Sequence, residues 1–206
     1  MPLGERRHPS LLTLAVGLAL VGGLAACTSG EGAEPGPTES SASAAPTAEP
    51  SGEPTADRPE VEKPVPPDAM ARDDVAGAEA AAQYFLELYP YVYATGDLSE
   101  WKAMSDPECV FCKDVFDDVG ALHAAGGYQD GGSFTITRVA SQPPEDGSQY
   151  FAVWIDAEED AVRRLSDDGS QIGSSTGGPI EVDMAVYRAE QGWLVRGVET
   201  FDPSGS

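Results

Sequence analysis

Basic side chains are scarce in this 206-residue chain: 12 Lys and Arg stand against 35 Asp and Glu, a formal charge of −23. That balance excludes a nucleic-acid binder, which must neutralise phosphates, and an anionic leaflet would repel the chain. Histidine is scarcer still. Of the two present, His8 lies in the basic start of the chain, so a Ser-His-Asp or Cys-His arrangement would have to use His123. That residue sits between Leu122 and two alanines near a predicted helix C-terminus, where an imidazolium is welcome, and it reads as structural. Three cysteines with a single CxxC leave a zinc site two ligands short. Gly-rich phosphate loops, HExxH and GxSxG are all missing. The apolar run from Leu11 to Leu24 is too short to span a bilayer comfortably.

What is present divides sharply by composition. Residues 1–26 read as a cleaved signal peptide, with Arg6 and Arg7 ahead of that apolar run and a small-residue end. Leu24, Ala25, Ala26 and Cys27 resemble the lipobox of bacterial lipoproteins. The resemblance implies cleavage before Cys27, lipid on its sulfur, and an extracytoplasmic protein anchored to the cell membrane; a plain secretory site or an uncleaved anchor is the alternative. Buried acyl chains contribute about 0.8 kcal/mol per methylene, so lipid would hold the protein without a transmembrane helix. Without residues 1–27, which contain Arg6, Arg7 and Glu5, 10 basic and 34 acidic side chains remain, a charge of −24.

Residues 27–67 are the lipidated cysteine and a tether rich in Pro, Ser, Thr, Ala and Glu, with almost no large apolar residue before Val61 and Val65. Such a segment buries too little surface to offset its chain entropy, and disorder is expected. About 40 residues of flexible coil span roughly 35 Å root-mean-square.

Residues 68–206 carry the folding information. Asp73 or Asp74 caps a helix in which Val75, Ala78, Ala82, Phe85, Tyr89 and Val92 form a buried stripe opposite Glu79, Gln83 and Glu87. Pro90 predicts a kink late in it, and Gly96 a stop. Asp97 or Ser99 caps a short second helix through Trp101 and Met104, broken by Ser105, Asp106 and Pro107. A third helix runs from about Lys113 to Ala125, and Gly126 and Gly127 end it. Strand patterns follow at Ser133 to Val139, Tyr150 to Ile155, Ala161 to Leu165, Ile180 to Val186 and Trp193 to Phe201, with a hairpin turn at Asp168 and Gly169. The plan is α+β: about three helices packed on one face of a strongly curved antiparallel sheet.

Gly77 to Asp97, GAEAAAQYFLELYPYVYATGD, and Ser105 to Cys112, SDPECVFC, resemble a family of actinobacterial lipoproteins with the same signal, tether and terminal domain. The resemblance covers about the last 135 residues. It implies a cone similar to nuclear transport factor 2 and the ketosteroid isomerase or polyketide cyclase group, and it names no activity, substrate or partner.

Three chemistries are open to Cys109 and Cys112: a structural bridge, a redox pair, or zinc. In an exported protein with Cys27 acylated they have only each other, and Asp106, Glu108 and Asp114 disfavour a thiolate, so a disulfide staple is expected. The acidic clusters at Glu158, Glu159, Asp160 and at Asp167, Asp168 match no calcium loop and read as solvated turn charge. The candidates to line a pocket in the cone are Tyr84, Tyr91, Trp101, Trp154, Asp156, Asp183 and Trp193. If the cone were a site of proton transfer, Asp156 or Asp183 would be the base and Tyr84 or Tyr91 the neutral donor. No catalytic set, cofactor or metal is identified. The function expected is a membrane-tethered, non-catalytic domain binding a small apolar ligand or an envelope protein; the alternatives are a cone-pocket isomerase, cyclase or dehydratase, or a thiol-disulfide protein.

Overall fold

A computed structural model describes residues 58 and 60–203. The signal peptide, the lipidation at Cys27 and most of the tether lie outside the described residues.

Helix α1, Val75–Thr95, starts where the Asp74 carboxylate accepts from the Gly77 amide at 3.2 Å. It stops at Gly96, whose left-handed φ of 76° lets its amide reach Val92 O at 2.8 Å. Pro90 lies inside it, and the helix continues for five residues beyond. The buried surface is wider than a stripe, because Tyr84, Leu88 and Ala81 are as fully buried as Ala82 and Phe85. One reason is that the chain before residue 68 runs beside the helix: Tyr84 Oη donates to Pro64 O at 3.4 Å, and Lys63 pairs with Glu100 at 2.8 Å.

Helix α2, Ser99–Met104, follows Asp97, whose carboxylate accepts from the Ser99 amide at 3.0 Å. Helix α3, Val110–Ala124, begins three residues before the predicted Lys113, because Cys109 is its N-cap and Cys112 falls in its first turn. The loop between α2 and α3 is docked on the sheet. Asp106 N donates to Val195 O at 3.0 Å, and Tyr187 Oη donates to Asp106 Oδ2 at 2.6 Å, which pushes the phenol up to about 12.

Seven strands follow among the described residues: β1 Tyr128–Gly131, β2 Phe134–Gln142, β3 Phe151–Glu159, β4 Val162–Leu165, β5 Gln171–Ser175, β6 Gly178–Ala189 and β7 Gly192–Phe201. They pair antiparallel in the orders β2-β3-β6-β7 and β1-β4-β5. The two ladders are halves of a bent hairpin, since Asp160 N donates to Ser133 O at 2.9 Å and Gly132 N to Ala161 O at 3.3 Å across the break. Gly131 and Gly132 make the bend with φ of 84° and 82°, and a Cβ on Gly131 would lie 2.1 Å from Ala161 O. This break divides what the sequence suggested was one sheet, and β1 and β5 are strands that its alternation did not reveal.

Alternation sends Val153, Ile155 and Ala157 of β3 against the helices, in register with Met184, Val182 and Ile180 of β6. Together with Phe85, Leu88, Val92, Trp101 and Val119 these residues form the core. Each fully buried Val, Leu, Ile, Phe or Met side chain among them contributes about 1.5–3 kcal/mol. The observed class is therefore the expected one, α+β with three helices on a curled antiparallel sheet.

Candidate functional site

A cavity of about 200 Å³ remains between the helices and the inner face of the sheet, beside the bend. Positions i and i+4 of α1 supply Phe85 and Tyr89; Trp101 comes from α2, Phe111 from α3 and Phe134 from β2. Apolar residues of β6 and β7, Ile180, Val182, Met184 and Val198, close the floor. Glu159, half-buried at the end of β3, and exposed Thr200 mark the mouth.

The rings gather around Tyr89, whose centroid lies 6.3 Å from the tilted Trp101, 6.3 Å from the stacked Phe111 and 6.2 Å from the edge-on Phe134. Phe85 stacks on Trp101 at 4.0 Å and so backs that wall. Cys109 and Cys112 are bonded, with Cα atoms 5.3 Å apart and both side chains buried. Phe111 stands between them in the chain, and Trp101 Nε1 donates to Cys112 O at 3.0 Å. The bridge thus sits behind two of the walls.

Among the described residues Glu159 is the one charged residue of the lining, and burial pushes its carboxyl up. Among the described residues it has no ion-pair partner. Burial likewise pushes the Tyr89 phenol up, and the Glu159 charge adds to the effect. Behind Tyr89, the Tyr93 hydroxyl donates to Asp118 Oδ2 at 2.8 Å, and burial followed by the neighbouring Tyr89 raises the Tyr93 phenol strongly. Arg164 Nη2 holds the same Asp118 oxygen at 2.5 Å, lowering that carboxyl, and its guanidinium lies 5.0 Å over the Tyr93 ring. Buried Gln129, with Arg164, Glu159 and Tyr89, lines a recess adjoining the cavity.

Of the seven residues expected to line a pocket, Trp101 reaches this cavity and the others are placed elsewhere. Tyr84 is fully buried against the chain at Pro64, and Tyr91 Oη donates to Asp97 Oδ2 at 3.0 Å beside a surface groove. Trp154, Asp156 and Asp183 occupy the opposite face of the sheet, because they follow inward-facing Val153, Ile155 and Val182 by one position. Asp156 there forms a two-bond pair with Arg138, at 2.6 and 3.1 Å. Trp193 packs edge-on against Phe151 at 5.4 Å and donates to Met70 O at 3.0 Å. His123 Nε2 lies 3.0 Å from Tyr93 O, its ring seated on Gly96. Asp168 accepts from Ser166 Oγ at 2.5 Å and Ser170 N at 2.9 Å, which holds its carboxyl at about 2. Among the described residues no group of three or more His, Cys, Asp or Glu side chains is placed to hold a metal ion.

Sequence reasoning assigned Tyr89 to the core and Glu159 to turn charge. One signal would have found Glu159: Phe151, Val153, Ile155 and Ala157 point inward, and the next odd position is Glu159.

The fold and site together define a curled-sheet α+β domain enclosing an aromatic-walled cavity. Solved structures of similar fold include the intermembrane-space region of the chloroplast protein ARC6, at 12% identity and a TM-score of 0.49, covering 63% of this chain and 98% of that one. Aln2 from a Streptomyces species has 9% identity and a TM-score of 0.41, covering 65% and 96%. An uncharacterised protein with a cystatin-like fold from Caulobacter vibrioides has 10% identity and a TM-score of 0.38, covering 62% and 92%. No curated protein sequence matches the chain. The chain belongs to the family of unknown function DUF6318, which it matches over residues 53–199.

Proposed function

We propose that the domain is a binding module that takes a small, largely apolar molecule into the cavity, and that lipid on Cys27 holds it at the outer surface of the cell membrane. The observation that carries the binding reading is a cavity of about 200 Å³ left unfilled among five aromatic side chains in an otherwise packed core. An apolar cavity of about 150 Å³ takes a benzene ring, so this one has room for a ring with a short substituent. The position is supported by the lipobox-like Leu24 to Cys27 and by a CxxC pair oxidised as in exported proteins.

A second reading, proton transfer in the same cavity, has one observation in its favour: Glu159 is a carboxylate in an apolar lining beside the Tyr89 phenol, the environment in which a carboxyl group acts as an acid or base near neutral pH. Native mass spectrometry on the full chain purified from its own host tests both. A bound mass that leaves unchanged on denaturation supports the binding module, a mass converted on incubation supports the enzyme, and a clean apo mass counts against both. Cys27→Ser is expected to release the protein from the membrane fraction into the medium.

A further inference from the structure

The ionisable groups of the cavity favour a ligand that donates hydrogen bonds. Tyr93 has one hydroxyl proton and donates it to Asp118, whose carboxylate can only accept. The Tyr89 hydroxyl, which lines the cavity, can accept through its lone pairs. Glu159, when ionised, only accepts. Among the described residues the lining contains no Lys, Arg or His. Arg164 in the adjoining recess is committed to Asp118 and to Gln129 Oε1, at 2.5 and 3.4 Å. An anionic ligand would meet no cationic side chain in the described lining and would face Glu159.

A cation finds the reverse. The rings of Tyr89, Trp101, Phe111 and Phe134, with centroids 6.2–6.4 Å apart in the measured pairs, wall the cavity with π systems that attract a cation presented to a ring face. The charge of −23 on the chain raises the local concentration of cations at any such mouth. From this we infer that the ligand of the cavity is a protonated amine bearing an apolar or aromatic group, its ammonium donating to Glu159 and Tyr89 while its apolar part lies against Ile180 and Met184. This inference rests on the binding reading above.

Titration calorimetry of the full-length protein with three soluble probes of one shape tests it: 2-phenylethylammonium, neutral 2-phenylethanol and anionic phenylacetate. A charge-assisted bond to a half-buried carboxylate predicts that the ammonium binds about tenfold or more tighter than the alcohol at low salt, with phenylacetate weakest. Glu159→Gln, with its melting temperature measured as a check on folding, should erase the preference for the ammonium over the alcohol. Equal or tighter binding of the alcohol or of phenylacetate overturns the cation inference and leaves the cavity a binding site. Heat from none of the three in the millimolar range overturns both.

Discussion

The indole N–H of Trp101 donates to the carbonyl oxygen of Cys112 at 3.0 Å, so one wall of the cavity is fastened to the disulfide-bearing turn that also carries Phe111. Both cysteines are about 2% exposed, which keeps external thiols away and suits a permanent bridge better than a redox pair.

The double substitution Cys109→Ala, Cys112→Ala should therefore do two things. Opening a loop this small lowers stability by about 2 kcal/mol, or about 5 °C in Tm. It should also loosen Trp101 and shift its emission to the red. An unchanged emission spectrum with a lowered Tm would show that the wall holds without the bridge.

The bend that places Glu159 at the cavity depends on Gly131. Gly131→Ala combines a positive φ of 84° with a Cβ 2.1 Å from Ala161 O, and should destabilise by about 2–3 kcal/mol. Gly120→Ala is the control. Gly120 is exposed in the middle of α3 with nothing within 4 Å of the added Cβ, so the substitution should stabilise by about 0.5–1 kcal/mol. Chemical denaturation of the two variants checks the pair, and a neutral Gly131→Ala would mean that the bend relaxes elsewhere.

Helices were legible in the sequence because their signals are local. The Asp74 cap, the Gly96 stop and the short α2 depend on neighbours within four residues, and the hairpin at Asp168 and Gly169 on the turn itself. Gly131 and Gly132 look like any loop, yet they bend a continuous ladder, and that long-range geometry hid β1, which starts directly after the stop at Gly126 and Gly127. The site was less legible for a different reason. Tyr89 lies on the apolar stripe of α1 and satisfies the pattern of a core residue; only the unfilled space beside it distinguishes it from Ala82 or Val92. Asp156 and Asp183 were attractive as carboxylates on strands, but strict alternation from Ile155 and Val182 turns them to the other face.

The Asp118–Arg164 pair predicts an acid sensitivity. The Arg164 bond, then that of Tyr93, holds the Asp118 carboxyl below its usual value, so its contribution is fully present above the unfolded-state pKa near ~4 and is lost as pH falls through the lower folded value. Both side chains are more than a third exposed, and solvent screening limits the contribution to about 0.5–1 kcal/mol. Asp118→Asn should flatten Tm against pH below pH ~4, followed by scanning calorimetry. A wild-type slope retained in the variant would assign the sensitivity to other carboxylates.

Glu159 has the opposite sign. Burial raises its folded-state pKa, so the folded protein keeps this proton to a higher pH than the unfolded chain does. Its favourable contribution is present below the unfolded-state pKa near ~4.3 and is lost as pH rises through the higher folded value. An ionised Glu159 is a half-buried charge with no ion-pair partner among the described residues, while the Arg164 of the adjoining recess is committed to Asp118. Glu159→Gln should therefore raise Tm at pH 7 by about 1–3 °C and reduce the fall in Tm between pH ~4 and 7. A fall in Tm on substitution would mean that Glu159 stabilises the empty fold. A rise would mark a carboxylate kept at the mouth against stability, as a binding group is.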